Sequence, residues 1–225
     1  ICAWFQPQLC TDTGRVSGME ALVRWVHPQR GVVPTREVLA ALDAADLMHR
    51  LDAVMLDAAL AALRVLDRAG MPVPTVAVNL GPEALRDPQL PERIRWTLDR
   101  HDLAPERLAV EILESVVAGP SDDMLTRNVN RLHLIGCCIE LDDFGTGHAS
   151  ITSLRQFPVR RLKIDRSFVT RCDLHSAQQR MLAAILTMAD QLGLETLAEG
   201  VETVGEHARL AELGVGHVQG FGIAA

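Results

Sequence analysis

Short apolar runs in this sequence repeatedly carry, or give way to, a charged or amide side chain. Val76-Ala77-Val78 runs into Asn79, Leu108-Ala109-Val110 into Glu111, Ile139-Glu140-Leu141 into Asp142 and Asp143, and Thr196-Leu197-Ala198 into Glu199. Val16–Met19 leads to Glu20, Val218 to Gln219, and Leu162-Lys163-Ile164 holds a lysine with Asp165 next. A single acid after a strand is an ordinary helix cap or loop residue. Seven such runs carry more weight, because in a parallel barrel their C-terminal ends meet on one face. Glu20, Glu111, Asp142, Asp143 and Glu199 would then repel one another, with Lys163 the one basic residue among them. A hard divalent cation resolves that conflict, since Mg²⁺ or Mn²⁺ takes carboxylate, amide-oxygen and water ligands. The eight histidines show no H-x-x-x-H spacing and the cysteines do not cluster, which disfavours zinc.

A metal centre rich in Asp, Glu and Asn with a lysine beside it suits hydrolysis of a phosphodiester. Glu199 could hold a metal or take a proton from water, and Lys163 could orient that water or offset developing charge. Spacing alone leaves enolase-like and aldolase-like barrel chemistry open.

The elements that must position these groups are legible as an alternation. One helix is predicted with Leu51, Met55, Ala58, Ala62 and Val65 on its buried face and Gly70 as its stop. Ser121 can cap a second, with Asp122 and Asp123 in its first turn, Leu125, Val129 and Leu132 buried, and Gly136 at its end. Ser176 opens a third, with Met181, Ile185, Met188 and Leu192 inside and Gly193 after it. Near-continuous apolar strands alternating with helices imply a parallel sheet covered by helices. About eight strands in 225 residues favour an α/β barrel over an open doubly wound sheet, and no G-x-G-x-x-G follows the first strand.

Composition agrees with one soluble domain: 48% of residues are hydrophobic and 23% charged, with no linker-like stretch. The net charge of −7, from 22 basic and 29 acidic residues, argues against binding a nucleic-acid polymer, which needs clustered Lys and Arg. No apolar run reaches the roughly 18 residues that span a bilayer. The five cysteines read as reduced thiols.

Glu20-Ala21-Leu22, in the context GMEALVRWVHP, resembles the signature of the EAL-domain family of cyclic di-GMP phosphodiesterases. The chain is similar to that family along almost its whole length, through FQP (5–7), TGRVSGMEALVRW (13–25), VNL (78–80), EILES (111–115), DDFGTG (142–147), KIDRSFV (163–169), AEGVET (198–203) and QGF (219–221). The resemblance implies a modified (β/α)8 TIM-type barrel with one strand antiparallel to the rest. It implies hydrolysis of cyclic di-GMP to 5′-pGpG with Mg²⁺ or Mn²⁺. By motif position Glu20, Asn79, Glu111 and Asp142 would bind one ion, and Asp142, Asp143 and Glu199 a second. Lys163 would contact the catalytic water, and Glu199 would be the general base. Gln6, Arg24 and Gln219 match substrate-contacting positions. Glu114 would steady the loop that carries Thr146 and Gly147, which in the family couples a homodimer to metal binding. Glu202 matches a further carboxylate near the site. A catalytically silent module that binds the dinucleotide or a protein is the alternative.

The sequence departs from the family's pattern in three places: Leu113 stands where a Thr is usual, His148-Ala149 replaces Tyr-Ser, and the chain ends GFGIAA where an Arg-Pro pair is common. The first residue is Ile1 and not Met. The expectation is one domain, residues 1–225, from a longer protein with a sensory or GGDEF-type domain fused to it. It would be cytoplasmic, or the cytoplasmic part of a membrane-anchored protein.

Overall fold

The structure, a computed structural model, describes residues 1–117, 122–146, 154 and 156–224. Strand β1 (Cys2–Cys10) turns back into the long β2 (Val16–His27), and β3 (Gly31–Val33) folds against the end of β2. Helices α1 (Thr35–Ala44) and α2 (Met48–Arg68) follow. The chain then alternates through β4 (Val76–Asn79), α3 (Pro82–Arg86), α4 (Leu90–His101), β5 (Leu108–Leu113), α5 (Glu114–Val117), α6 (Asp123–Ile135) and β6 (Cys138–Phe144). It closes with β7 (Arg161–Ile164), α7 (Arg166–Val169), α8 (Ser176–Gln191), β8 (Glu195–Ala198), α9 (Val204–Leu213) and β9 (His217–Val218).

The sheet order β1-β9-β8-β7-β6-β5-β4-β2 closes on itself through the β1–β2 pairing, giving an eight-stranded barrel with β3 appended to β2. β1 is antiparallel to both of its neighbours, and the remaining barrel pairs are parallel. This is the architecture the motifs imply.

The alternation of side chains along each strand makes two interiors. Val76, Val78, Leu108, Val110, Ile112, Ile139 and Leu141 face the helices and join the main apolar core. Their neighbours face the axis, where Ala77, Ala109 and Cys138 pack as a separate cluster. Two residues further along the same inner face come Asn79, Glu111 and Glu140, paired in register as Asn79 with Glu111 and Glu111 with Glu140. Small residues at the narrow base therefore give way to polar ones toward the mouth.

Three local expectations change. Glu20 lies inside β2 and not at its end, because β1 pairs along that strand from Cys2–Arg24 to Gln8–Gly18 and extends it. On α2, Leu51 and Met55 are buried as expected, but the stripe continues through Leu56, Ala59, Leu60 and Leu63. Val65 is 63% exposed. The larger Leu56, Leu60 and Leu63, on a face rotated from Ala58 and Ala62, supply the packing volume against the sheet. On α8, Leu182 and Ala189 are buried, Met181 is exposed, and Ile185, Met188 and Leu192 are half-buried.

Asp122 caps α6: its Oδ1 accepts from the backbone N–H groups of Met124 and Leu125 at 3.1 Å. Leu125, Val129 and Leu132 are buried, and Gly136 ends the helix at φ 115°. Ser121, Gly147, His148, Ala149 and Ala225 lie outside the described residues. The cysteines are free thiols, as expected. Among the described residues no helix is long and apolar enough to cross a membrane.

Candidate active site

Lys163 stands at the centre of the mouth. It is an inward residue of β7 with no exposed surface. Its Nζ lies 2.7 Å from Glu111 Oε1, 2.9 Å from Glu199 Oε1, 3.2 Å from Asp142 Oδ1 and 3.4 Å from Glu20 Oε2. Burial alone would discharge an ammonium, but Glu111, Glu20, Glu199 and Asp142 outweigh it and hold Lys163 charged, well above the usual lysine range. One cation thus faces four acids, three from strands β2, β5 and β6 and one, Glu199, just after β8.

The acids divide by environment. Burial opposes ionisation of Glu20, but Lys163 and the amide donors of Gln219 and Asn79 prevail and keep it below the usual glutamate value. Those donors are short: Gln219 Nε2 donates to Glu20 Oε2 at 2.6 Å and Asn79 Nδ2 to Oε1 at 2.9 Å. Glu111 goes the other way. Burial and then Glu20 push its carboxyl well above the usual range, against Lys163. Neither of its oxygens has a hydrogen bond of good geometry. Glu199 is pushed up to about 7 by burial, with Asp142 and Glu20 adding to the effect and Lys163 opposing it. Asp143 is raised by burial and by Asp142 and Asp165.

Asp142, Asp143 and Glu199 each offer an oxygen within 4.8 Å of the others, an arrangement that can hold a metal ion. The donors are hard oxygens, the cluster carries more acid than Lys163 can balance, and the buried Glu111 oxygens lack a well-directed hydrogen bond. This set fits a hard divalent cation.

The turn after β6 shapes this cluster. Asp143 adopts φ 57°, and its N–H donates to Asp142 Oδ1 at 2.9 Å. Gly145 has φ 99°, and a Cβ there would overlap the Phe168 ring, so only glycine fits. Its N–H donates to Glu114 Oε2 at 2.8 Å, and Thr146 Oγ1 donates to the Asp143 carbonyl at 2.9 Å. Glu114 thus touches the described part of this loop through the Gly145 N–H.

Above the acids opens a cavity of about 350 Å³. Its lining includes the expected Gln6, Glu20, Arg24, Asp142, Asp143, Glu199, Glu202 and Gln219. Glu111, Asn79 and Lys163 are not part of that lining. Glu111 and Lys163 are sealed beneath it, and Asn79 faces a second, mostly apolar recess of about 460 Å³ that shares Leu22, Arg24, Asp142 and Asp143. Arg24 stands where the two meet. Its Nη1 donates to the Val23 carbonyl at 2.8 Å, and its guanidinium lies over the Trp4 ring. Glu202 is exposed at the rim.

Several lining residues have no site role in the sequence reading. Asp165, Arg166 and Phe221 lie within KIDRSFV and QGF, so their signal was at hand. Leu39, Met48, Leu51 and Asp52 in the second recess come from α1 and α2, whose sequence gives no sign of facing a site. Burial pushes Asp52 up to about 6, against Arg93.

A family model described as the EAL domain matches residues 1–225. Cyclic di-GMP phosphodiesterase RocR of Pseudomonas aeruginosa is 32% identical over 220 residues, 97% of this chain and 55% of RocR. The bifunctional diguanylate cyclase/cyclic di-GMP phosphodiesterase MucR of the same organism is 33% identical over 217 residues, 96% of this chain and 32% of MucR. The chain thus spans about half of RocR and a third of MucR. A solved complex of the PaMucR phosphodiesterase with c-di-GMP superposes with a TM-score of 0.92 at 32% identity, covering 99% of this chain and 90% of that one. With the reversed first strand, the acids at the mouth and a match over its full length, the chain belongs to the EAL domain family.

Proposed function

We propose that this domain hydrolyses cyclic di-GMP to linear 5′-pGpG, using Mg²⁺ or Mn²⁺. The observation that carries the reading is Glu199. It is an acid held near neutrality beside a buried lysine and two aspartates, at the floor of an open cavity in a chain similar to RocR and MucR. Glu20, Asn79, Glu111 and Asp142 would hold one ion, and Asp142, Asp143 and Glu199 another. When bound, the ions supply Lewis-acid stabilisation of the attacking and leaving oxygens.

The chain's own groups do the rest. Lys163 holds the attacking water by its oxygen and keeps the acids in place. Glu199 takes the water's proton as the new P–O bond forms and the P–O3′ bond breaks, and that proton passes to the leaving O3′ to give the 3′-hydroxyl. Arg24 clasps the phosphate from the rim, a role that suits a guanidinium. Gln6 and Gln219 line the same side, and the two recesses flanking Arg24 give the two bases separate seats. Glu114 and Thr146 hold the Asp143 turn, and a homodimer acting through this loop would tune the metals. Glu202 stays at the rim in a supporting place. A cytoplasmic setting, with a sensory or GGDEF-type domain attached, fits the nucleotide substrate.

The test is a product assay with cyclic di-GMP, run with Mg²⁺ or Mn²⁺ and again with excess chelator. pGpG formed only with metal is the expected result. Saturable binding without product would instead select the silent binding module, and neither would remove the site roles.

A further inference from the structure

Below the mouth, a single chain of polar side chains runs along the barrel axis. Arg161, the first residue of β7, directs all three guanidinium nitrogens at partners. Nη1 donates to Glu140 Oε1 at 3.1 Å and to Gln8 Oε1 at 3.2 Å. Nη2 donates to Glu195 Oε2 at 2.9 Å and faces His217 Nε2 at 3.5 Å, and Nε donates to Glu195 Oε2 at 3.2 Å. Gln8 Nε2 then donates to Gln219 Oε1 at 3.0 Å. Gln219 Nε2 spends its two protons on Gln6 Oε1 at 3.0 Å and Glu20 Oε2 at 2.6 Å. Arg161, Gln8, Gln219 and Glu20 are all buried.

An amide can be turned end for end, but a guanidinium only donates. Arg161 therefore compels Gln8 to point its oxygen down and its NH₂ up. Gln8 in turn compels Gln219 to present its oxygen below and its NH₂ to Glu20. Reversing either amide would set an oxygen against the Glu20 carboxylate or against Gln8's own acceptor, in a place where water cannot relieve the clash.

We infer that Arg161 is a positioning residue for Glu20: acting through Gln8 and Gln219 from the far side of the barrel, it fixes the donor edge that meets the Glu20 carboxylate. Its consequence for metal binding rests on the reading of Glu20 as a ligand; the amide polarity itself does not.

Two variants of the whole chain test it. Gln8→Glu keeps an acceptor for Arg161 but offers a second oxygen to Gln219, so Gln219 must turn and bring its own oxygen to Glu20. Gln8→Met removes the clamp without imposing the reversal. In the metal-free wild type, the Gln219 side-chain amide protons should show NOEs to the Glu20 methylenes. In Gln8→Glu these should move to the residue-8 methylenes, and Mn²⁺ affinity, measured by electron paramagnetic resonance, should fall about 10-fold or more. Gln8→Met should weaken the Glu20 NOEs and lower Mn²⁺ affinity by less. Wild-type NOEs in both variants would overturn the inference, as would Mn²⁺ loss in Gln8→Met equal to that in Gln8→Glu, which is what a merely structural role predicts. Should Gln8→Glu fail to fold, undiminished Glu20 NOEs in Gln8→Met would overturn it alone. A wild-type chain that binds no Mn²⁺ would remove the metal reading, and the NOEs would still decide the polarity.

Discussion

Lys163 Nζ lies 2.9 Å from Glu199 Oε1, yet the glutamate stays raised to about 7. The two facts fit together because the lysine's single charge is shared with Glu20, Glu111 and Asp142 at comparable distances. Glu199 feels both the cation and the acids that surround it, and burial tips the balance toward the proton. A base poised near neutrality can take a proton and return it.

Lys163→Ala should lower the turnover rate by at least about 100-fold while KM changes little, the mark of a positioned catalytic group. Steady-state kinetics with saturating metal would measure both. Equal loss in kcat and in substrate affinity would make Lys163 a phosphate anchor instead. The same variant, studied in chelator, should also have a lower Tm, since four acids then share the axis without their cation.

The pH dependence of stability has a definite sign. Glu199 binds its proton more tightly in the folded chain, at about 7 against an ordinary 4.5. The folded state therefore holds more protons than the unfolded one between those values, and stability falls as pH rises through that window. Asp52, raised to about 6, acts in the same sense, whereas His217, lowered to about 4, acts in the opposite one. Comparing Glu199→Gln with wild type cancels both. In chelator the variant's Tm advantage should grow from pH 5 to pH 7.5, and saturating Mn²⁺ should reverse the order. A difference that is flat with pH would refute the raised Glu199.

Glu20→Ala and Asp142→Ala should each abolish pGpG formation and leave the circular dichroism spectrum unchanged. The strands that carry them are held by outward residues such as Met19, Ala21, Ile139 and Leu141, which these changes do not touch. Near-normal turnover in either variant would remove that residue from the metal centre.

Arg24→Ala should raise KM for the cyclic dinucleotide by roughly 10- to 100-fold, the worth of one or two charge-assisted hydrogen bonds, with a smaller change in kcat. Arg24→Lys should recover only part of the loss, because an ammonium cannot lie flat on Trp4 and bind bidentately at once. A KM unchanged in Arg24→Ala would place the phosphate elsewhere.

The barrel and most of its mouth were readable from the chain because strand-end acids leave a signature that a single sequence displays. Asn79, Glu111, Asp142 and Glu199 each follow an apolar run, and the structure brings all of them to one end. The buried face of α2 was read rotated from where it lies, since alanine and leucine alternate there and only packing decides between them. The axial column of Arg161, Gln8 and Gln219 was harder still. Its members lie 153 and 211 residues apart in sequence, and no local spacing links a glutamine near the N-terminus to an arginine in the seventh strand. The second recess is hidden for the same reason: α1 and α2 close it against β2 and the ends of distant strands.

The two interiors described above also set how the domain tolerates length changes. Neighbours on one strand, such as Val110 and Glu111, are committed to opposite sides of the sheet, one to helices and one to the axis. Inserting a single residue into β5 would swap every later side chain across the wall, driving acids into the greasy shell and aliphatic groups among the ligands. Deletions or insertions confined to the helix-side loops carry no such penalty. Drift in length is therefore expected between the strands and not within them.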